Sequence, residues 1–300
     1  MFGVWGLNRI RWSLRKALLP IGASDLVLDV GSGSSPHPAA DVLLERFLDS
    51  THRFGTMVVD RPTVLADACK MPFRDKTFDF VIAFHVLEHV PEPALFLKEL
   101  QRVGKAGYIE TPNAIFERLI PYPMHLLEIM NVNDTLLINK KTSARPDQFL
   151  NDLELIKHSA SWRRFFYNNP ELFHVRYLWN ENINFKVLNA NVSSDWFLNA
   201  ESPELGDHGF VANSRPNGLR SIGLAAIRKW HRLKKKTTKD LRELLVCPEC
   251  LGSLDVSEEK GSCRRCGISY AWAPVPDFNQ PSDMDFAQKV AGLGVEPLHY

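Results

Sequence analysis

Four of the five cysteines are spaced like the ligands of a single metal ion. They form two CxxC pairs, Cys247 with Cys250 and Cys263 with Cys266, separated by twelve residues. Each pair can present two thiolates, and four thiolates complete the tetrahedral shell of a structural Zn²⁺. The separation is shorter than the roughly 15–20 residues common in such sites. We predict that residues 240–285 form a zinc ribbon whose folding depends on the ion.

A second set of candidate residues lies in the first third of the chain, where acids and glycines follow short apolar runs. Residues 26–30 (LVLDV) predict a buried strand that leads into the turn Gly31-Ser32-Gly33. The carboxyl ends of parallel strands meet at one sheet edge, where α/β proteins bind their ligands. We expect the following residues at that edge: Asp29, Gly31, Gly33, Glu45, Asp67 and His85.

The glycine turn differs from a dinucleotide-binding fingerprint. Pro36 occupies the position of the third glycine, and Pro38 follows closely. A long helix with its N-terminus facing a pyrophosphate is therefore not expected, which argues against NAD or FAD.

The elements that must position these residues alternate between strands and helical segments. Apolar residues at i, i+3 and i+4 in residues 92–103 predict a helix. Further strands are predicted at residues 41–45, 64–67, 78–84 and 107–110. This alternation predicts an α/β fold with a doubly wound, mainly parallel sheet.

Three motifs in residues 26–113 resemble those of class I S-adenosylmethionine-dependent methyltransferases, and of the LEHV-type branch in particular. They are VLDVGSG, ADACKMPFRDKTFDFVIAFHVLEHV and RVGKAGYIETPN. The resemblance implies a Rossmann-like sheet and S-adenosyl-L-methionine as cofactor. It implies that Asp29 and the turn at Gly31 and Gly33 hold the methionine end. It also implies that Glu45 binds the ribose, that Asp67 and the Ala68 backbone read the adenine, and that His85 lines the pocket.

The second strand has two possible positions. The connection from Gly33 to Asp41 is short for a βαβ unit. Either the first helix is vestigial and Glu45 ends the second strand, or the strand is residues 56–60 and Asp60 holds the ribose. A carboxylate at a strand end suits two vicinal hydroxyls in either case. We favour Glu45, because similar sequences with a proline-containing loop at this place reach the second strand quickly.

Residues 85–89 (HVLEH) match the HxxEH pattern of some zinc hydrolases, which requires a helix. A predicted strand precedes these residues and Pro91 follows them, so we reject that interpretation. We expect Glu88 and His89 to brace the loop and close the cofactor pocket. Alternatively, these residues bind a divalent metal ion that assists methyl transfer, since the resemblance extends to some O-methyltransferases in which acidic and histidine residues of this loop bind such an ion.

Residues 114–200 are rich in aromatic side chains and are the predicted substrate-specificity region. Residues 135–140 (TLLINK) predict a strand. Residues 173–179 and 183–188 predict an antiparallel hairpin that ends the main sheet.

Methyl transfer to a hydroxyl requires in-line positioning and a base, for which His85, His89 and His125 are the candidates. The Asn/Asp-Pro-Pro-Tyr motif of amino-group methylation does not follow the fourth strand. Resemblance to methyltransferases encoded among surface-polysaccharide enzymes indicates O-methylation of a small-molecule or glycan hydroxyl. The alternative is a catalytically silent adaptor, or an RNA or protein methyltransferase that binds through the ribbon.

The C-terminal segment resembles the zinc-ribbon partner protein that activates several tRNA and translation-factor methyltransferases. That resemblance implies a scaffold covering an apolar face of the catalytic domain. We place the methyltransferase domain at residues 1–227 and a basic linker at residues 228–239. The linker carries seven basic and no acidic residues, and with the ribbon it is a candidate nucleic-acid binding segment.

The net charge of +1 hides an uneven distribution. Residues 1–22 carry four basic and no acidic residues; outside this segment and the linker, 25 basic residues face 35 acidic ones. Residues 1–22 predict an amphipathic helix that packs on the body or, alternatively, meets a membrane surface. They lack signal-peptide features, and no apolar run reaches the roughly 18 residues of a membrane span, so we expect a cytoplasmic protein.

Overall fold

The computed structural model describes residues 12, 14–47, 57–122, 124–143, 156, 158–193 and 240–279. Its main feature is a six-stranded sheet in the order β3-β2-β1-β4-β5-β8. The strands before residue 193 are β1 (Val27–Val30), β2 (Val42–Glu45), β3 (Thr63–Leu65), β4 (Phe78–Phe84), β5 (Gly104–Pro112), β6 (Leu127–Val132), β7 (Thr135–Lys140), β8 (His174–Asn180) and β9 (Phe185–Val187). The first five strands pair in parallel, which confirms the predicted α/β sheet.

The connections between the parallel strands differ in kind. Helix α1 (Pro93–Val103) joins β4 to β5, begins with a proline in its first turn and buries Phe96, Leu97 and Leu100. Residues 31–41 join β1 to β2 without a helix. The second strand is therefore β2, and residues 57–60 form no strand. The alternative second strand at residues 56–60 is wrong in its described part.

The predicted terminal hairpin is also wrong. Strand β8 pairs antiparallel with β5 in the main sheet, whereas β9 pairs in parallel with β7 in a separate sheet. The chain leaves the main sheet at Glu181, which has a φ of 60°, and Gln101 Oε1 then accepts the Ile183 N–H at 2.6 Å. The apolar pattern of the sequence could not predict this separation, because it indicates that both segments are strands but not which strands they pair with.

The smaller sheet has the order β6-β7-β9 and packs on the core of the main sheet. Strand β7 confirms the strand predicted at residues 135–140. Near it lie the short helices α2 (Ala114–Leu119) and α3 (Ala160–Asn168) and the 3₁₀ turn Pro170–Phe173, which share a cluster of aromatic side chains.

Residues 240–279 form a third unit that docks on the β3 edge of the main sheet. This unit, the C-terminal ribbon, contains α4 (Leu241–Leu244), β10 (Leu254–Val256), β11 (Lys260–Cys263) and β12 (Ser269–Ala271). Leu65 N donates to Pro276 O at 2.8 Å, and Phe278 N donates to Leu65 O at 2.7 Å. Apolar residues of the ribbon and of the main sheet belong to one continuous buried cluster. The ribbon therefore extends the core of the sheet and covers its edge strand.

Several predictions concern residues outside those the structure describes. They include residues 1–11 and 13 of the predicted N-terminal helix, the basic linker at 228–239, both proposed domain boundaries next to it, and the end of the ribbon at 280–285. The described residues 15–22 form turns and coil, so the prediction that the helix extends to residue 22 is wrong. Within the described residues, we find no helix with the length and apolar character needed to cross a membrane.

Candidate active site

The glycine turn after β1 is tied to the end of β2. Gly31 and Gly33 have φ values of 65° and 55°, a region that favours glycine, and a Cβ on Gly31 would lie 2.5 Å from Val86 Cγ2. Ser32 Oγ and Gly33 N donate to Glu45 Oε1 at 2.7 and 2.6 Å. The turn and the Glu45 carboxylate therefore form one local unit at the carboxyl edge of the sheet.

Asp60, the alternative to Glu45, is engaged elsewhere. Its Oδ1 accepts from Arg61 Nε at 2.6 Å, and Arg61 also donates to the backbone oxygens of His37 and Ala40. Residues 57–60 also form no strand, so Asp60 does not lie at the end of a strand.

Asp29 lies beneath the turn and is 2% exposed. Its carboxylate accepts the His37 N–H at 2.7 Å. Burial raises the pKa of Asp29 to about 7, against the opposing effects of that hydrogen bond and of the Lys16 charge. A cationic group brought close to this carboxyl would stabilise its ionised form.

Asp67 and Ala68 lie in the loop after β3. Asp67 Oδ1 accepts the Cys69 N–H at 2.8 Å, while Oδ2 lies 3.6 Å from Arg46. Ala68 packs against the main core. Burial raises the pKa of the Cys69 thiol to about 12, so this fifth cysteine stays protonated at neutral pH.

His85 ends β4 in a left-handed backbone conformation, with a φ of 55°. Its imidazole lies 3.2 Å from Glu88 Oε1 and 3.6 Å from Glu110 Oε1. Burial disfavours its charge, but the hydrogen bonds to these carboxylates outweigh that effect and raise its pKa to about 9. A cationic imidazole cannot accept a proton, so at neutral pH His85 is better suited to binding an anionic group.

The N-terminal residues described by the structure lie across the same edge. Arg15 donates to both Glu110 oxygens, at 2.6 to 3.0 Å, and Tyr108 donates to Glu110 Oε2 at 2.9 Å. Lys16 Nζ lies 4.1 Å from the centre of the Phe84 ring. Sequence reasoning missed Arg15 and Glu110, because an arginine in a basic segment gives no signal of a carboxylate 95 positions later.

His89 and His125, the two other candidate bases, lie side by side with their rings 4.8 Å apart. His125 Nδ1 lies 2.6 Å from Glu117 Oε2, and Lys141 Nζ lies 2.7 Å from Glu117 Oε1. The backbone oxygen of Met124 lies 3.0 Å from His89 Nδ1. Sequence reasoning also missed Glu117 and Lys141, whose contribution depends on how α2 and β7 pack.

The predicted specificity region supplies an aromatic wall beside these histidines. Tyr122 stacks on His125 at 4.9 Å, and Phe116 stacks on Phe166 at 5.2 Å. Asn113 caps α2 by accepting the Phe116 N–H at 3.0 Å. The indole N–H of Trp162 is buried and has no hydrogen-bond partner among the described residues.

The cysteine sulfurs of the C-terminal ribbon converge on one point. The Sγ atoms of Cys247 and Cys266 lie 3.7 Å apart, those of Cys250 and Cys263 lie 3.4 Å apart, and all four lie within 4.8 Å of one another. A Zn²⁺ ion with four bonds of about 2.3 Å would space its sulfurs by about 3.8 Å. The donor set and its spacing therefore fit tetrahedral zinc.

Part of the main sheet matches a known family by sequence. Residues 43–109 match the family profile described as a methyltransferase domain. This segment is therefore similar to a methyltransferase domain. With the mixed α/β sheet it fits the Rossmann-like methyltransferase fold, for which S-adenosylmethionine is the expected cofactor.

Two curated relatives each match about 30% of the chain. Sterol 4-C-methyltransferase strm-1 of Caenorhabditis elegans is 31% identical over 88 residues, which are 29% of this chain and 26% of the relative. Malonyl-[acyl-carrier protein] O-methyltransferase of Marinomonas sp. is 29% identical over an alignment of 104 residues. That alignment covers 30% of this chain and 38% of the relative. The chain thus spans well under half the length of these relatives.

Solved structures give weaker matches. A chain from the complex of the Haloferax volcanii Trm112 methyltransferase activator with a methyltransferase aligns over 58% of this chain and 91% of its own length, with 13% identity and a TM-score of 0.36. An S-adenosylmethionine-dependent methyltransferase from Mesorhizobium loti aligns over 37% of this chain and 58% of its own length, with 18% identity and a TM-score of 0.29.

Proposed function

We propose that this protein is an S-adenosylmethionine-dependent methyltransferase that methylates a hydroxyl of a small molecule or glycan. One observation carries the proposal: in the sheet that contains the matched residues 43–109, the glycine turn is hydrogen-bonded to Glu45 at the carboxyl edge, and the carboxyl of Asp29 lies beneath that turn. That edge is the ligand-binding position of doubly wound sheets.

The residues at this edge fit the chemical groups of the cofactor. A side chain at Gly31 would collide with Val86, whereas the space beside Gly33 is open, so a ligand could approach the backbone of the turn there. Glu45 offers a carboxylate to the ribose hydroxyls. Asp29 offers a carboxyl group near the turn to the methionine end of the cofactor. Asp67 lies in the loop after β3 with its side chain 43% exposed, where it can contact the adenine. When bound, the cofactor supplies an electrophilic methyl group.

The acceptor hydroxyl must lose its proton as the methyl group is transferred. His125 is the best candidate base, because Glu117 holds its Nδ1 and leaves Nε2 to accept a proton. His89 lies next to it with Nδ1 directed at Met124 O. Tyr122 and Phe116 provide ring faces against which a sugar or another ring could pack.

The C-terminal ribbon has a structural role in this proposal. It covers the β3 edge, and its docking contacts reach the loop that carries Asp67: Val246 N donates to Pro72 O at 2.9 Å, and Lys70 Nζ lies 2.5 Å from Glu249 Oε2. Zinc bound by the four cysteines would hold this cover in shape.

Calorimetry with S-adenosylmethionine and S-adenosylhomocysteine tests the cofactor assignment. Glu45→Gln should weaken binding at least about tenfold, because it removes a charge-assisted hydrogen bond to the ribose. Asp60→Asn is the matched control and should bind like the wild type. Circular dichroism must show both variants folded, since Glu45 also holds the glycine turn.

Two results would reject the proposal. One is a wild-type protein that binds neither compound, which would favour the adaptor function instead. The other is a larger loss of affinity in Asp60→Asn than in Glu45→Gln. An RNA acceptor would be indicated by binding that weakens steeply with salt.

A further inference from the structure

We propose that the outer side of strand β8 pairs with the same strand of a second copy of this chain, so that two main sheets join into one across a two-fold axis. The proposal concerns self-association and does not depend on the proposed methyl transfer. It is carried by the backbone geometry of β8 and by the difference between the two edges of the main sheet.

The main sheet has two edge strands, and the chain covers them differently. Strand β3 has three residues, and the C-terminal ribbon covers its outer side through hydrogen bonds to Leu65. Strand β8 has seven residues and pairs with β5 on its inner side, while no described strand pairs with its outer side. An open edge of this length is a template for another strand.

The hydrogen bonds next to both ends of β8 show which of its residues face outward. Glu181 N donates to Lys105 O at 2.7 Å, and Asn113 N donates to Phe173 O at 2.9 Å. Between these bonds the antiparallel register with β5 is unbroken. The hydrogen-bonded pairs of an antiparallel ladder recur at every second residue. The odd-numbered residues of β8 therefore bond to β5, and the even-numbered residues direct their N–H and C=O groups away from it.

Arg176 and Leu178 are the two central even-numbered residues of β8. In the part of the chain that the structure describes, no hydrogen bond joins their backbone N–H or C=O groups to another residue. The side chain of Leu178 is also open to solvent, at 53% exposure. The outer side of β8 therefore presents four unpaired backbone groups beside an exposed apolar side chain.

These four groups are complementary to a second copy of themselves. In an antiparallel pair centred on Tyr177, Arg176 of each copy lies opposite Leu178 of the partner subunit. Each of these two pairs exchanges both N–H···O=C bonds, which gives four hydrogen bonds around the two-fold axis. A pair centred on Arg176 would place two arginines directly opposite each other, which is destabilising. The register centred on Tyr177 avoids that contact.

The side chains of β8 lack the features that prevent edge-to-edge pairing. The strand contains no lysine or proline, and its register with β5 has no bulge. Arg176 is turned back on its own sheet, where its Nε donates to the Tyr108 hydroxyl at 2.9 Å. Leu178 lies opposite Tyr108 in the β5–β8 ladder. A second copy would therefore extend an apolar surface that begins at Tyr108.

The arrangement predicts a closed dimer and not a filament. Because the ribbon covers β3, β8 is the edge of the main sheet whose outer side is open among the described strands. Pairing through β8 uses that edge in both copies and leaves none for a third. Antiparallel pairing also reverses the second sheet, so the two carboxyl edges that carry the candidate active sites point in opposite directions.

Sedimentation velocity of the full-length, zinc-loaded protein over a range of concentrations tests the proposal. We expect a species of twice the chain mass that dissociates on dilution. Leu178→Lys should weaken the association at least about tenfold, because it places a cation opposite Arg176 of the partner subunit. Leu95→Lys is the matched control, since Leu95 lies on helix α1 and is 50% exposed. It should associate like the wild type.

Hydrogen exchange of single amides identifies the surface in the wild-type protein. The N–H groups of Arg176 and Leu178 should gain protection as the protein concentration rises, whereas that of Tyr177, which bonds to β5, should be protected at every concentration. A second variant, Leu178→Pro, removes one outward N–H from each copy and leaves the bonds to β5 in place. It should weaken the association at least about tenfold, since two of the four central hydrogen bonds are lost.

Three results would overturn the proposal. The first is a wild-type protein that stays monomeric at every concentration; if its Arg176 and Leu178 amides are nevertheless protected, another part of the same chain covers the edge. The second is a dimer in which those two amides exchange as fast as in the diluted protein. The third is a dimer that folded Leu178→Lys and Leu178→Pro variants both retain. The exchange measurement decides the matter even if neither variant folds.

Discussion

The C-terminal ribbon and the carboxyl edge of the main sheet are stabilised in opposite ways. The ribbon gathers four like groups, the sulfurs of Cys247, Cys250, Cys263 and Cys266, which the proposed zinc ion would hold together. The edge gathers opposite charges, such as Arg15 with Glu110 and His85 with Glu88, which compensate one another directly. The comparison indicates that metal removal should affect the ribbon first, whereas charge removal and pH should affect the edge.

Removal of zinc should have the largest effect. A chelator, or Cys247→Ser, should unfold the ribbon, because zinc contributes about 10–16 kcal/mol to small metal-dependent folds. We expect hydrogen exchange to lose protection across residues 240–279 and at β3, while β4 and β5 stay protected.

Cys69→Ser is the control for that experiment, since Cys69 is the cysteine outside the proposed ligand set and lies in the loop after β3. It should retain the zinc content and exchange pattern of the wild type. Equal loss of protection in β4 and β5 on chelation would contradict the division into two differently stabilised regions.

Substitution of Glu110 should have the next largest effect. Glu110→Gln leaves Arg15 without its buried partner, and breaking such a pair costs about 3–5 kcal/mol. Urea denaturation should show this loss in the free energy of unfolding. Glu249→Gln breaks an exposed pair with Lys70 and should cost at most about 1 kcal/mol. Similar losses in the two variants would show that the buried pair contributes no more to stability than the exposed pair.

The His85–Glu88 pair should give a smaller, pH-dependent effect. Hydrogen bonds to the two carboxylates, against burial, raise the pKa of His85 to about 9, so its contribution is complete below its ordinary pKa and disappears as the pH rises through about 9. Burial acts to raise the pKa of Glu88, but His85 outweighs it and lowers that pKa to about 2. The contribution of Glu88 is therefore complete above its ordinary pKa and disappears as the pH falls towards about 2.

Melting temperatures of the wild type and His85→Gln, measured from pH 3 to pH 10, test this account. Their difference should be largest between about pH 4.5 and 6.5, the window between the ordinary pKa values of glutamate and histidine. It should shrink towards both extremes. A difference independent of pH would show that His85 stabilises the edge by packing alone.

The sequence predicted the structure correctly where residues close together in the chain determine the result. The two CxxC pairs predicted the clustered sulfurs, and the apolar runs predicted β1, β2 and β4 close to their observed bounds. It failed where the outcome depended on distant partners. Strand β9 pairs with β7 and not with the outer edge of β8, because the chain turns out of the main sheet at Glu181 and Gln101 then accepts the Ile183 N–H.

The candidate site shows the same difference between residues that a local pattern identifies and residues that depend on distant partners. The acids and glycines at strand ends could be read from the sequence, because parallel strands bring their carboxyl ends together. Glu117 and Lys141 could not, because Glu117 meets His125, and Lys141 meets Glu117, only after α2 and β7 have packed. Their role is determined by tertiary structure, and no local spacing encodes it.

The contact between Leu65 and Phe278 has a consequence for synthesis of the protein. Ribosomes make β3 long before they make residues 276–278, so the edge strand that the ribbon covers is exposed throughout translation of the intervening chain. An open strand edge is a template for aggregation. Prompt metal loading of the newly made cysteines would therefore shorten the period in which nascent chains can associate wrongly.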